Sequence, residues 1–248
     1  MYILSVDTTA KTACCAVCTQ KEDGEIFPIC SSQLNSTLTH SESILPMIDF
    51  CLKNANVSIN DIDVIGVSAG PGSFTGVRIG ISTAKGLAFG SEKIQCVSVS
   101  ALEALAYNVD LLPEGTIICV CMDARRQQFY NAVFESDGNK RLHRLCEDRA
   151  VDVNELFSQL KEKYTDKRIF LVGDGAEIAF KLFSQLDGFD NMQIAFCGYD
   201  YTYQNGVSVA KCALLHADEV VSATELSPVY LRMSQAERER NEKQELKK

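Results

Sequence analysis

The chain has 248 residues, 46% of them hydrophobic, enough to fill a core in one large domain or two of ordinary size. Its 24 basic and 33 acidic side chains give a net charge of −9, and the short run from Ser234 onward is slightly basic, so the body is more acidic still. An acidic body argues against a nucleic-acid binder acting alone. No apolar run approaches the roughly 20 residues of a membrane span, and Met1-Tyr2-Ile3-Leu4-Ser5-Val6-Asp7 lacks a signal peptide's basic start. A cytoplasmic protein is expected.

In chain order, residues 2–6, 12–19 and 26–34 read as strands. Thr39-His40-Ser41-Glu42 has capping-box spacing and opens a helix whose apolar positions Ile44, Ile48, Cys51, Leu52 and Ala55 recur at helical period. Pro46 leaves two readings open: a kinked helix capped at Thr39, or a later start at Ser43 with Pro46 in the tolerant first turn. Residues 62–68 form a buried strand, followed by a glycine-rich turn and a helix over 75–88 that Gly90 stops. A short strand at 95–99 leads into a helix capped by Ser100 and running to about Asn108.

Leu111-Leu112-Pro113-Glu114-Gly115 reads as a boundary, after which the pattern restarts. Residues 116–122 end in Asp123 as 2–6 end in Asp7, and Ala132-Val133 follows Asp123 at the spacing by which Ala16-Val17 follows Asp7. A strand at 141–147, a helix at 153–164, a strand at 169–172 running into Gly173-Asp174-Gly175, and helices at 176–186 and 207–217 complete the second half. The order strand-strand-strand-helix-strand-helix, written twice, describes a duplicated α/β unit with lobes at 1–110 and 111–233. The charged run 234–248 has only Ala236 and Leu246 as apolar groups and is expected to be a solvated helix or disordered tail.

The 11 cysteines sit where small apolar residues would serve, and free cysteine behaves as a small hydrophobe there. Cys15 and Cys18, three apart on a strand, point to opposite faces and cannot share a metal. His40, His143 and His216 are scattered, so no metal shell is legible, and no Ser-His-Asp or Cys-His set is legible either.

Two segments carry chemistry. Asp7-Thr8-Thr9 at a strand end, facing Asp123 and the Gly173 to Gly175 turn, could hold a magnesium nucleotide between two lobes. Alternatively, Asp7 and Thr9 only stabilise a turn. Arg125 and Arg126 crowd the place where phosphates would sit. The second segment is the helix after Gly72-Ser73-Phe74-Thr75. There Gly76, Gly80, Ala84 and Ala88 fall at i, i+4, i+8 and i+12 beside Val77 and Ile81, a ridge of the smallest side chains. Helical glycine costs about 0.5–1 kcal/mol against alanine, so the ridge implies a close backbone approach, by this chain's own fold or by a partner.

Residues 68–90, with Asp7-Thr8-Thr9, His40-Ser41-Glu42 through Leu45-Pro46, Ser100-Ala101-Leu102-Glu103-Ala104-Leu105, Asp123-Ala124-Arg125-Arg126 and Pro228-Val229-Tyr230-Leu231-Arg232, resemble the TsaB family, formerly YeaZ. The resemblance reaches to about residue 235. It implies an actin-like ATPase (ASKHA) fold of two ribonuclease-H-like lobes and a part in making threonylcarbamoyladenosine at position 37 of tRNA. It also implies a heterodimer with the catalytic paralogue TsaD, joined by the ATPase TsaE, with tRNA met only through the complex. That paralogue carries a metal-binding His-x-x-x-His pair; aligned on Glu103, those positions are Ala101 and Leu105 here, which ligate nothing. The implied role is a non-catalytic scaffold that needs no cofactor, with ATP or ADP at the partner interface and self-association when alone. Gly76, Val77, Gly80, Ile81, Ala84, Ala88, His40, Ile44 and Ile48 are the expected partner face, and a Gly80→Leu change is expected to break the complex but not the fold. Asp7, Thr8, Thr9, Asp123, Gly173 and Gly175 are the expected vestigial nucleotide site. An independent ATPase or kinase is the alternative.

Overall fold

β1 (Tyr2–Asp7) is apolar except for Ser5 and Asp7 and is buried beyond Tyr2, so it lies inside a sheet rather than at its edge. The computed structural model describes residues 1–91, 93–198 and 201–232. β1 pairs antiparallel with β2 (Ala13–Gln20), which pairs antiparallel with β3 (Ile26–Leu34), and parallel with β4 (Val64–Gly70); β5 (Gln95–Ser100) lies outside β4. The first sheet therefore runs β3-β2-β1-β4-β5.

α1 (His40–Ala55) and α2 (Phe74–Ala88) cover one face of this sheet. Thr39 caps α1: Glu42 reaches back to the Thr39 N–H at 3.0 Å and takes its hydroxyl at 2.6 Å. The helix thus starts at Thr39 and not at Ser43. Pro46 lies within it at an exposed position, where water can meet the carbonyl its missing N–H leaves open. Asn56 closes the helix in the left-handed conformation, φ 53°.

The second sheet repeats the plan. β6 (Ile117–Asp123) pairs antiparallel with β7 (Gln128–Ser136) and parallel with β10 (Arg168–Val172). β8 (Leu142–Arg144) and β9 (Arg149–Asp152) both pair with β7, and β11 (Gln193–Phe196) extends the sheet beyond β10. Of the strand expected over 141–147 only β8, three residues long, forms, and β9 follows beyond that range, just before the next helix. α4 (Val153–Tyr164) and α5 (Ala176–Phe183) pack on its outer face. The two halves are not identical in register. Ala16 pairs with Ser5, two residues before Asp7, whereas Ala132 pairs with Val120, three before Asp123. The dipeptides still share sidedness: Ala16 and Ala132 face inward, Val17 and Val133 outward.

Between the sheets lie α3 (Ala101–Ala106) and α6 (Gly206–Leu215), and they cross over. α3, from the first half, buries Ala101, Leu102 and Leu105 against β6 and β7. α6, counted with the second half from the sequence, packs Val209, Ala210 and Ala213 on the inner face of the first sheet. The 1–110 and 111–233 division therefore cuts through a shared middle layer, and the lobes bury their inner faces jointly. Cys15 and Cys18 lie in cores on opposite faces of β2. All the cysteines are free thiols. Residues 234–248 lie outside those described. Among the described residues no helix is long and apolar enough to cross a membrane.

Candidate functional site

Ile44, Ile48, Val77, Ile81, Ala84 and Ala88 are each no more than 4% exposed and belong to the core under α1 and α2. The glycine ridge faces the same way. A Cβ on Gly76 would lie 2.0 Å from the Thr8 carbonyl oxygen, and one on Gly80 would lie 2.7 Å from Thr8 Oγ1. Thr8 Oγ1 donates to the Gly76 carbonyl at 2.7 Å, fastening the turn after β1 onto the helix. The close approach implied by the ridge is made by this chain's own turn. Apart from Ile44, which floors the groove on the outer side of these helices, these residues offer no free face to a partner, which corrects the expectation for them. His40 is committed as well: its Nε2 donates to the Ala10 carbonyl at 2.6 Å. A Gly80→Leu change would strike Thr8, so it tests the fold and not the interface.

What α1 and α2 present outward is a shallow groove of about 420 Å³ lined by Ser41, Leu45, Thr75, Arg78, Ile79 and Ser82 among others. Leu45 is 51% exposed. Ser82 and Gly86, one turn apart on α2, are exposed, and a Cβ on Gly86 would meet nothing within 4 Å. Small outward residues beside an apolar stripe allow another helix to approach closely.

The strand-end acids differ from each other. Asp7 is fully buried: Oδ1 accepts the Thr9 N–H and hydroxyl, each at 2.7 Å, and Oδ2 accepts the Ser68 hydroxyl at 2.6 Å. Burial pushes its carboxyl above the usual range, against the Ser68 and Thr9 bonds that favour the anion. Gly72 and Ser73 cover this turn, and the Ser73 N–H donates to the Thr9 carbonyl at 2.6 Å. Thr8 and Thr9 are buried too. Asp123 is exposed and accepts the Arg125 N–H at 2.7 Å. Its own N–H donates to Asp174 Oδ1 at 3.2 Å. Asp174, missed in the sequence reading except as the middle of a glycine turn, is pushed up to about 6 by burial and by the charges of Asp123 and Asp7. Gly173 and Gly175 are needed because side chains there would meet Cys121 and Asp123 backbone atoms at 2.5–3.0 Å. They pack their own strand end.

The cleft between the lobes, about 890 Å³, is lined by Thr9, Lys11, Phe74, Asp123, Arg125 and Asp174, with further contributions from both halves. Of the six expected nucleotide residues, only Thr9 and Asp123 line it; Asp7, Thr8, Gly173 and Gly175 lie behind its wall.

Glu103 ties the lobes together. Its carboxylate meets His216 Nε2 at 2.9 Å and Arg144 at 3.6 Å, while His216 Nδ1 meets Glu219 at 3.0 Å and Arg144 pairs with Asp148 at 2.6 Å. The bond to Glu103, and then that to Glu219, hold the His216 imidazolium up to about 9. Ala101 and Leu105, flanking Glu103, are buried hydrocarbon. Among the described residues no three His, Cys, Asp or Glu side chains are grouped to hold a metal.

Two copies of one α/β plan, closing on a cleft with an acid at the end of each first strand, make this an actin-like ATPase fold. YeaZ from Pseudomonas aeruginosa has the same fold, with a TM-score of 0.69 and 21% identity over 93% of this chain and 99% of that one. The family described as TsaD: tRNA N6-adenosine threonylcarbamoyltransferase matches residues 29–238. The tRNA threonylcarbamoyladenosine biosynthesis protein TsaB of Bacillus subtilis is 30% identical over 96% of this chain and 96% of that protein. Its namesake from Haemophilus influenzae is 27% identical over 94% of each. The chain belongs to the TsaB family, within the wider TsaD family.

Proposed function

We propose that this chain is a non-catalytic, activating subunit in the synthesis of threonylcarbamoyladenosine on tRNA, and that it docks on the catalytic paralogue TsaD through the outer face of α1 and α2. One observation carries the reading. The chain follows the transferase family over residues 29–238, yet Ala101 and Leu105, which the resemblance aligns with the paralogue's chelating positions, are buried hydrocarbon with no lone pair to donate. Glu103 is spent on His216 and Arg144. A protein with the transferase's plan and, among the described residues, no grouped metal ligands supports the chemistry by binding the subunit that performs it.

The groove supports the mode of binding: an apolar Leu45, a half-buried Ile79 and the small Ser82 line it, exposed Gly86 lies one turn beyond on the same helix, and together they suit helix packing against a related helix pair. In this reading TsaE and tRNA join through the paralogue, and the acidic chain adds no phosphate-binding surface of its own. With the partner absent, the same groove supports self-association. The protein acts in the cytoplasm, where tRNA is modified.

The test is co-purification with tagged paralogue. Leu45→Asp and Ser82→Arg change exposed positions, so both variants should stay folded and lose the partner, each by about tenfold or more in affinity. Retention of wild-type affinity in both would rule out the groove.

A second reading is nucleotide binding by this chain alone. It is favoured by the inter-lobe cleft, whose walls carry Lys11 and Arg125 from opposite lobes, neither ion-paired among the described residues. It is opposed by Asp7, whose oxygens are occupied by Thr9 and Ser68. Titration calorimetry with magnesium–ATP separates the two: the scaffold reading expects no binding that Asp123→Asn removes.

A further inference from the structure

Three segments that stand out in the sequence meet at one place: the start of α2, the turn 124–127 between β6 and β7, and the run Pro228-Val229-Tyr230-Leu231-Arg232. The Val229 N–H donates to the Ala69 carbonyl at 2.7 Å, while Leu226 anchors the approach in the first-lobe core. Tyr230 stacks flat on Phe74, centroids 3.9 Å apart and planes 3° from parallel. Arg78, one turn along α2, lays its guanidinium over both rings at 4.7 and 5.7 Å and donates Nε to the Tyr230 hydroxyl at 2.8 Å. Two residues beyond Tyr230, Arg232 Nη1 donates to the Ala124 carbonyl at 2.8 Å, across the cleft.

The turn at the far end is strained. Arg125, Arg126 and Gln127 all have left-handed backbones, φ 63°, 56° and 59°, with no glycine among them. Side-chain-bearing residues hold that conformation in succession only where their surroundings over-determine it. From within the second lobe, Asp123 accepts the Arg125 N–H and Gln127 accepts the Val153 N–H at 3.1 Å. Arg232 supplies a tie from the strap that leaves the first lobe.

We propose that residues 228–232 are a latch: Phe74 and Arg78 hold it on α2, and Arg232 holds the strained turn and so the relation of the two lobes across the cleft. Arg78 and Tyr230 are positioning residues, acting on the turn through Arg232. Phe74, Arg125 and Arg232 line the cleft and Arg78 lines the outer groove, so the latch joins that groove to the cleft. A ligand that moves Arg78 from outside loosens a turn inside.

Hydrogen exchange on the full chain tests this. The amides of Ala124, Arg125 and Gln128 are bonded within the turn, and β1 amides report overall integrity. Arg232→Ala should speed the turn amides by about tenfold, as expected when a charged hydrogen bond is lost, with β1 unchanged. Arg78→Ala and Tyr230→Phe alter side chains whose bonds lie in α2 and the strap; each should speed the same amides by about threefold. Tyr230→Phe keeps the stacked ring and so guards against a folding defect. Faster exchange confined to 228–232 in these two variants, or an unchanged turn in Arg232→Ala, overturns the latch.

Discussion

The three glycines of α2 offer a test built into one helix. Replacing Gly86 by Ala places a methyl group in open space, and only helix propensity changes, so the chain should gain about 0.5–1 kcal/mol. The same gain applies at Gly80, but there the new Cβ lies 2.7 Å from Thr8 Oγ1, short of the roughly 3.5 Å at which non-bonded heavy atoms rest. Relief requires Thr8 to turn and give up its buried bond to the Gly76 carbonyl, costing about 1–3 kcal/mol. Gly80→Ala should therefore fall about 1 kcal/mol below wild type. At Gly76 the obstacle is the Thr8 backbone carbonyl at 2.0 Å, which no rotamer change can remove. The helix must lift from the β1 turn, so overpacking of about 3 kcal/mol outweighs the propensity gain and leaves a net loss of about 2. Urea unfolding midpoints at constant m measure the series, with the order Gly86→Ala above wild type, then Gly80→Ala, then Gly76→Ala. If Gly76→Ala and Gly80→Ala stabilise as Gly86→Ala does, the ridge faces outward and the assignment of the partner face reverts to it.

Other outcomes follow from the charged groups. The folded Asp174 carboxyl keeps its proton up to about pH 6, whereas the unfolded chain releases it near 3.8. Its contribution is therefore present below pH 3.8, declines as pH rises through 6 and is absent above it. Asp174→Asn should raise stability by about 1 kcal/mol or more at pH 7.5 and bring no advantage at pH 4; equal effects at both would refute the shift. His216 acts in the same sense over a higher window. Its imidazolium is favoured in the folded chain up to about 9 against 6.5 unfolded, so its stabilisation is full below pH 6.5 and lost as pH rises through 9. Allowing for its partial exposure, His216→Gln should cost about 1–2 kcal/mol at pH 6 and little at pH 10, read from unfolding midpoints at the two pH values.

Much of the architecture was legible because it rests on local signals. The Thr39 to Glu42 capping box, the buried runs ending in Asp7 and Asp123, and the repeated order of elements each depend on neighbours in sequence. The crossing of α3 and α6 was not legible, since an apolar helix carries no mark of which sheet it will cover. The direction of the Gly76 to Ala88 ridge was hidden for a related reason: small residues signal that a backbone comes close, not whose it is. Asp7 and Asp123 look equivalent as strand-end acids, yet Ser68 and Thr9 close over one and leave the other at the cleft, a difference set by contacts as far as 61 residues apart. The stack of Tyr230 on Phe74 and the bond from Arg232 to Ala124 span still longer separations that no periodicity records.

We propose that this chain enables a tRNA modification that it does not itself carry out. The direct measurement is transfer of the threonylcarbamoyl group from its adenylate to adenosine 37 of tRNA, assayed with this chain alone, with the catalytic paralogue and TsaE alone, and with all three together. Product should form only in the full mixture and should fall with Leu45→Asp. Product made by the purified chain alone, or equal yields with and without it, would contradict the account.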